Sequence, residues 1–321
     1  MLKKKWIMML AVTVLFTVIT VRLIFSEAGN VRTVSVLTVA EGTNSHQLYE
    51  MLKSRSIADS EKLFRISLFI SGIIHGPIKP GLYEIKAPVT YINLTGKFSR
   101  GDVATLTFPE GLTQWEVAEL IEKKLSLYDS PYLYNLKIGV PNHEGRLFPA
   151  TYRITSNDPE KLVNKMLETY ERRTVRLSPT KADLILASMI QKEGAMVKEF
   201  RRISGVFHNR LKKNIKLESD PTLQYIVGKI RLTKEILKNR SPYNTYLFHG
   251  LPPGPICNPG LAALEAAKNP EAHAFYFFVS MKDGRHYFSK TKLEHFRAVG
   301  FYLFGYQNGF IPEEGSYFLL N

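Results

Sequence analysis

Val36-Leu-Thr-Val-Ala-Glu41-Gly42 and Leu106-Thr-Phe-Pro-Glu110-Gly111 carry one pattern twice, and reading them as a pair sets the architecture expected of the chain. Each begins as a short strand-like run, reaches a Glu-Gly turn and enters a helical phase. Leu48, Met51 and Leu52 follow the first, and Val117, Leu120 and Ile121 follow the second, at identical offsets. Strand, glycine turn and amphipathic helix in that order describe a small α/β unit, so the copies predict two such units over about residues 33–100 and 101–175. The first continues through Lys79-Pro-Gly-Leu-Tyr-Glu-Ile85, where Pro-Gly turns the chain into a strand. The second closes near Glu144-Gly-Arg-Leu-Phe-Pro-Ala-Thr-Tyr152. These are packing and turn elements, and none of them demands chemistry.

From Ser178 the texture changes. Ser178-Pro-Thr180 caps a helix over Leu184-Ile-Leu-Ala-Ser-Met-Ile-Gln-Lys-Glu193, and Gly194 stops it. Glu193 falls three, four and seven residues after Ile190, Met189 and Leu186, so it continues the core-facing stripe. Desolvation there, and the negative end of the helix dipole, both favour the protonated carboxyl, which is the form a general acid needs. The same residues also fit an ordinary last-turn glutamate turned toward solvent. A second helix from about Lys198 sets Phe200, Ile203, Phe207 and Leu211 on one face, so two helices meet near Glu193. Then come loops dense in Pro, Gly, Tyr and Asn: Asp220-Pro-Thr222, Ser241-Pro-Tyr-Asn-Thr-Tyr246 and Gly250-Leu-Pro-Pro-Gly-Pro-Ile256. Aromatic faces with amide and hydroxyl groups suit sugars, although the prolines also serve simply to set turns. Asn258-Pro-Gly260 reads as an N-cap with proline at the first helical position. Runs from Phe275 and Arg285 around Lys282-Asp-Gly284 read as a hairpin.

The 321 residues fit two to three domains, and a single cysteine, Cys257, excludes an internal disulfide. No His-Glu-x-x-His, paired-cysteine, phosphate-loop or Gly-x-Ser-x-Gly pattern is present, so neither a metal nor another cofactor is expected. Residues 1–5 read as a cytoplasmic tail. Lys3, Lys4 and Lys5 precede an uncharged run from Trp6 to Val21, with Arg22 and then Leu23-Ile-Phe25 beyond it. This predicts a single-pass transmembrane helix over 6–25, with the amino terminus inside and the rest of the chain outside. A cleaved signal peptide is the competing reading, but no convincing small-x-small site precedes Ser26-Glu-Ala-Gly29. The net charge of +14 is dispersed, and an exported chain meets anionic lipid or an anionic wall polymer in place of nucleic acid.

Taken together, Leu-Ala-Ser-Met-Ile-Gln-Lys-Glu193, Val206-Phe-His-Asn-Arg210, the three loops above, Asn258-Pro-Gly260 and His286-Tyr-Phe-Ser289 with Glu294-His295 make the chain resemble the endolytic peptidoglycan (murein) transglycosylases, YceG-like and membrane-anchored. The likeness is close over about 178–299 and weaker upstream, where the family's first module is similar to the wall-binding LysM fold. It implies an α+β architecture: the anchor, a LysM-like small α/β module over 33–100, a second over 101–175, and a helical catalytic domain over 176–299 with a short antiparallel sheet. Residues 300–321 form a tail with no assigned role. It further implies peptidoglycan glycan strands as substrate, an inner-membrane location, wall-synthesis enzymes as possible partners, and Glu193 as catalytic acid and base. Asn209, Asp220, Thr222, Tyr243, Asn244 and Tyr246 are expected to line the groove and hold the sugar. Gln191, Ala150 and Glu218 depart from the residues common in the family, and none of these changes touches Glu193. A hydrolase needs two carboxylates, whereas a lytic transglycosylase needs one, because the muramyl C6 hydroxyl is its nucleophile. The rivals are an inverting hydrolase pairing Glu193 with Glu199, Glu218 or Asp220, and a non-catalytic wall-binding scaffold.

Overall fold

The computed structural model describes residues 2–29, 35–86, 88–228, 230 and 232–305. They fall into two compact units, one comprising the chain up to 106 with 151–162, the other 107–150 with the chain from 163 onward.

The first unit opens with α1 (Leu2–Ile24). There follow β1 (Ser35–Val39), α2 (Ser45–Lys53), α3 (Glu61–His75), β2 (Gly81–Ile85) and α4 (Tyr91–Arg100). The Glu41-Gly42 turn does what the pattern asks, with Gly42 at φ 80° in the left-handed region that favours glycine. Asn44 then caps α2 in a box with Gln47. β1 lies antiparallel to β2 with Leu37 opposite Tyr83. Leu37, Leu48, Leu52, Phe64, Tyr83 and Phe98 are fully buried together, so the core is made mostly by helix faces closing over one strand pair. β3 (Thr105–Thr107) pairs only with β4 (Thr151–Arg153).

In the second unit α5 (Gln114–Leu125) is capped by a Thr113–Glu116 box, and α6 (Pro131–Lys137) follows it. α7 (Pro159–Thr174) leads to α8 (Lys181–Glu193), a 3-10 turn at Val197–Glu199, α9 (Phe200–Lys212) and α10 (Asp220–Val227). The chain continues through α11 (Leu261–Lys268), the hairpin β5 (Phe277–Ser280) and β6 (His286–Ser289), and α12 (Lys292–Phe304). α8 is the central element. Its residues 184–190 are all buried, against Phe207 of α9 and Ala263, Leu264 and Ala267 of α11. The tail expected over 300–321 completes α12 as far as Phe304, and its residues from 306 lie outside the described ones.

Two expectations are overturned. The α+β class with its LysM-like and second α/β modules gives way to a mainly helical chain with small sheets. Among the described residues every sheet has only two strands, so helices bury most of the apolar surface even where one strand pair joins a core. The second correction concerns the amino terminus. Among the described residues no helix is long and apolar enough to cross a membrane, which overturns the single-pass anchor at 6–25 and the inner-membrane placement built on it. The uncharged run of α1 covers only residues 6–21, ~24 Å of helix against ~30 Å of hydrocarbon. Thr13 and Thr17 interrupt it, their hydroxyls bonded back to Met9 and Thr13 carbonyls.

Candidate active site

α8 begins where Thr180 caps it in a box with Asp183 and ends at Glu193, with Gly194 at the C-cap. Gly194 stops the helix by spacing, since its φ of −84° is open to any residue. A Cβ there would lie 2.6 Å from the Phe200 ring, and only glycine lets α9 start that close behind α8. The close turn leaves the Glu193 carboxyl on a cleft of about 650 Å³ that is also lined by Arg210, Asp220, Tyr246 and residues of the β5–β6 hairpin and α12.

Glu193 Oε1 accepts a 2.6 Å hydrogen bond from the Ser219 hydroxyl. Burial pushes the Glu193 carboxyl up to about 7; the negative charge of Asp220 adds to the rise, while the Ser219 bond and the Arg210 cation oppose it. Ser219 is unusual for its position. It stands at the N-cap of α10, yet its hydroxyl makes no cap bond and turns to Glu193 instead. The turn is set by Glu218, whose φ of 49° puts it in the left-handed region, and by Thr245, which takes the Glu218 N–H on its carbonyl and the Ser219 N–H on its hydroxyl. Arg210, buried on α9, clamps the same loop from below by donating to the Lys216 and Leu217 carbonyls and to Glu218. Its Nε reaches the Tyr276 carbonyl, tying that loop to the start of the hairpin.

One stretch of the cleft is aromatic. Phe277, Phe278 and Phe296 line it, with His295 stacked on Phe277 at a centroid distance of 5.3 Å. Burial, with the Arg210 cation, pulls the His295 imidazole down to about 4, so it faces the cleft as a neutral ring. A protonatable carboxyl and polar groups in one cleft with aromatic rings suit the polar and apolar faces of a pyranose.

The predicted groove residues divide. Asp220 and Tyr246 meet in the cleft beside Glu193, the tyrosine hydroxyl donating to Asp220 Oδ1. The other four hold the walls in place. Asn209 gives its amide hydrogens to the His273 and Phe275 carbonyls ahead of β5. Thr222 is fully buried on the Ser219 carbonyl and Thr245 hydroxyl. Asn244 is buried, donating to the Leu237 and Asn239 carbonyls and accepting the Tyr246 N–H. Tyr243 packs against Tyr225.

Sequence reasoning passed over Ser219, Arg210, Thr245 and the aromatic wall. A serine just before Asp-Pro reads as a helix cap, and its redirection is invisible without the fold. Arg210 stood in a quoted motif, and an arginine on the apolar face of a helix was the available signal. Asn258 also differs from its reading. Gly260 holds the N-cap position of α11, while Asn258 bonds the Leu147 N–H, the Leu112 carbonyl and Glu144.

A family model described as the YceG-like family matches residues 37–300. A Bacillus subtilis protein named endolytic murein transglycosylase is 31% identical over 308 residues, covering 83% of this chain and 84% of its own. A Streptococcus pneumoniae protein of the same name is 27% identical over 318 residues, and there the match spans 81% of this chain and 57% of the relative. The crystal structure of a YceG-like protein from Listeria monocytogenes superimposes with a TM-score of 0.51 at 27% identity, over 83% of this chain and 98% of that one.

Proposed function

This chain belongs to the YceG-like family, and from that premise we infer that the cleft at the end of α8 cuts peptidoglycan glycan strands with Glu193 as its acid and base. The chain is a lyase, an endolytic murein transglycosylase like its named relatives, and its substrate is peptidoglycan. The observation that carries the role of Glu193 is its bonding. One carboxyl oxygen is held by Ser219, and the other takes no hydrogen bond from any described residue on the wall of the cleft.

In the proposed reaction the protonated carboxyl gives its hydrogen to the glycosidic oxygen between N-acetylmuramic acid and N-acetylglucosamine, and the C1–O bond breaks. The resulting carboxylate removes the proton from the muramyl C6 hydroxyl as that oxygen closes on C1. Water is not consumed, and the new end is 1,6-anhydromuramic acid. A carboxyl pushed up to about 7 can serve both halves of the cycle near neutral pH. Asp220 and Tyr246 lie where they can meet sugar hydroxyls, while Asn209, Thr222, Tyr243 and Asn244 act on substrate through the walls they hold. Cutting strands as they are made sets their length and calls for proximity to the enzymes that polymerise them.

The inverting-hydrolase reading needs a second free carboxylate. Glu199 spends both oxygens on His286 and Glu218 is paired with Arg210, so that reading comes down to Asp220, one oxygen of which accepts from Tyr246. Mass spectrometry of digested strands separates the reactions: anhydro ends are expected, and ends heavier by one water would overturn the transglycosylase mechanism.

A further inference from the structure

His286 opens β6 and lines the same cleft as Glu193. Glu199, in the 3-10 turn that follows α8, grips it twice: Oε2 is 2.8 Å from His286 Nδ1, and Oε1 accepts the His286 backbone N–H at 3.3 Å. Both side chains are nearly covered, at 9% and 11% exposure, so this contact is dry and its geometry is fixed. The rings of Phe278 and Phe288 flank the imidazole edge-on, at 5.5 and 6.3 Å. A carboxylate on Nδ1 fixes the tautomer that carries its hydrogen there and leaves the Nε2 lone pair outward. That Nε2 takes no hydrogen bond from a described residue, and His286 lines the cleft. An orienting carboxylate behind a histidine whose other nitrogen meets no described partner is the arrangement of a group set to receive a ligand. Packing alone needs no such device.

We propose that His286, positioned by Glu199, is a substrate-binding residue whose Nε2 accepts a hydrogen bond from an O–H or N–H donor of the glycan strand, in the cleft that Glu193 lines. This rests on the glycan-cleaving reading of the cleft. The same contact ties the hairpin to the turn behind α8.

The test uses the two amides that each copy one imidazole nitrogen. His286→Asn keeps a donor to Glu199 and removes the group at Nε2; His286→Gln keeps a group at Nε2 and releases Glu199. Kinetics on purified glycan strands, with strand retention measured in parallel and thermal melting as the folding check, should show an unaltered melt for His286→Asn. Its KM should rise about tenfold with kcat within about threefold of wild type, the scale of one lost neutral hydrogen bond. His286→Gln should recover part of the KM. Wild-type cleavage with an unchanged KM in His286→Asn would overturn the role of His286 alone. Absence of cleavage by the wild type would count against the enzymatic reading, and strand retention would then decide: equal retention by wild type and His286→Asn, or none by either, sinks this proposal too.

Discussion

Glu193 and Glu144 are two carboxyls of the same unit, and burial pushes both up to about 7, yet their surroundings are opposite. Glu144 lies under α5 and is saturated. The Gln114 N–H bonds both its oxygens, the Tyr225 hydroxyl donates to Oε2 and the Asn258 amide to Oε1. Glu193 has a single donor and a cleft. A raised pKa therefore marks burial in both places, and the unfilled hydrogen-bonding capacity at Glu193 is what distinguishes a working acid from a structural pin.

The largest effect that can break this comparison is on rate. Glu193→Gln should lower kcat by about a thousandfold or more, the scale of general acid–base catalysis, in an assay for soluble anhydromuramyl fragments. Glu144→Gln should stay within about threefold of wild type when assayed well below its melting temperature. Stability should reverse the order. Glu144→Ala leaves the donors of Gln114, Tyr225 and Asn258 unmet and should cost about 2–4 kcal/mol in urea unfolding, whereas Glu193→Ala opens onto the cleft and should cost far less. A Glu144→Gln enzyme as inactive as Glu193→Gln would erase the distinction.

How much of this was legible in the sequence depends on how local each feature is. The stripe of Leu186, Met189, Ile190 and Glu193, the cap at Thr180 and the stop at Gly194 were readable because helix period and termini are written within a few residues. The face formed by Phe200, Ile203 and Phe207 and the hairpin around Lys282-Asp-Gly284 were readable for the same reason. The class of the fold was less accessible. Two matching strand-turn-helix patterns describe short segments well, but they say nothing about how many strands pair, and pairing stops at two. The groove failed along the same line. Asp220 and Tyr246 reach the cleft, while Asn244 and Thr222 stand beside them in sequence with every polar group turned inward. Residues two apart in the first turn of a helix, like those in a tight turn, face different ways, and composition cannot tell which.

Ser219 gives a finer test. Its hydroxyl stabilises the ionised form of Glu193, so Ser219→Ala should let burial raise the carboxyl further. In the wild type, activity should fall as pH rises through about 7, because the protonated acid is lost. In Ser219→Ala this alkaline limb should move upward by less than about one pH unit, with kcat about fivefold lower because the carboxyl is no longer aimed. The kcat/KM pH profile reads both effects. A limb that stays in place, or moves down, would show that Ser219 does not act on Glu193.

The smallest effect concerns stability against pH and isolates Glu193 without any substrate. Its pKa is about 7 when folded against an ordinary 4.5 when unfolded, so the native state holds this proton more tightly. The stability linked to it is fully present below about 4.5 and is lost as pH rises through 7, where the native state must carry a poorly solvated charge. Glu193→Gln carries no such charge. The variant and wild type should therefore differ little between about pH 4 and 5 beyond the fixed effect of the amide. By pH 8 the variant should have gained about 1–2 kcal/mol relative to wild type, a rise of a few degrees in melting temperature. Glu144 titrates in the same window in both proteins and cancels from the difference. Melting curves that run parallel from pH 5 to 8 would mean that Glu193 is well solvated, and the case for a buried acid at the end of α8 would fall with them.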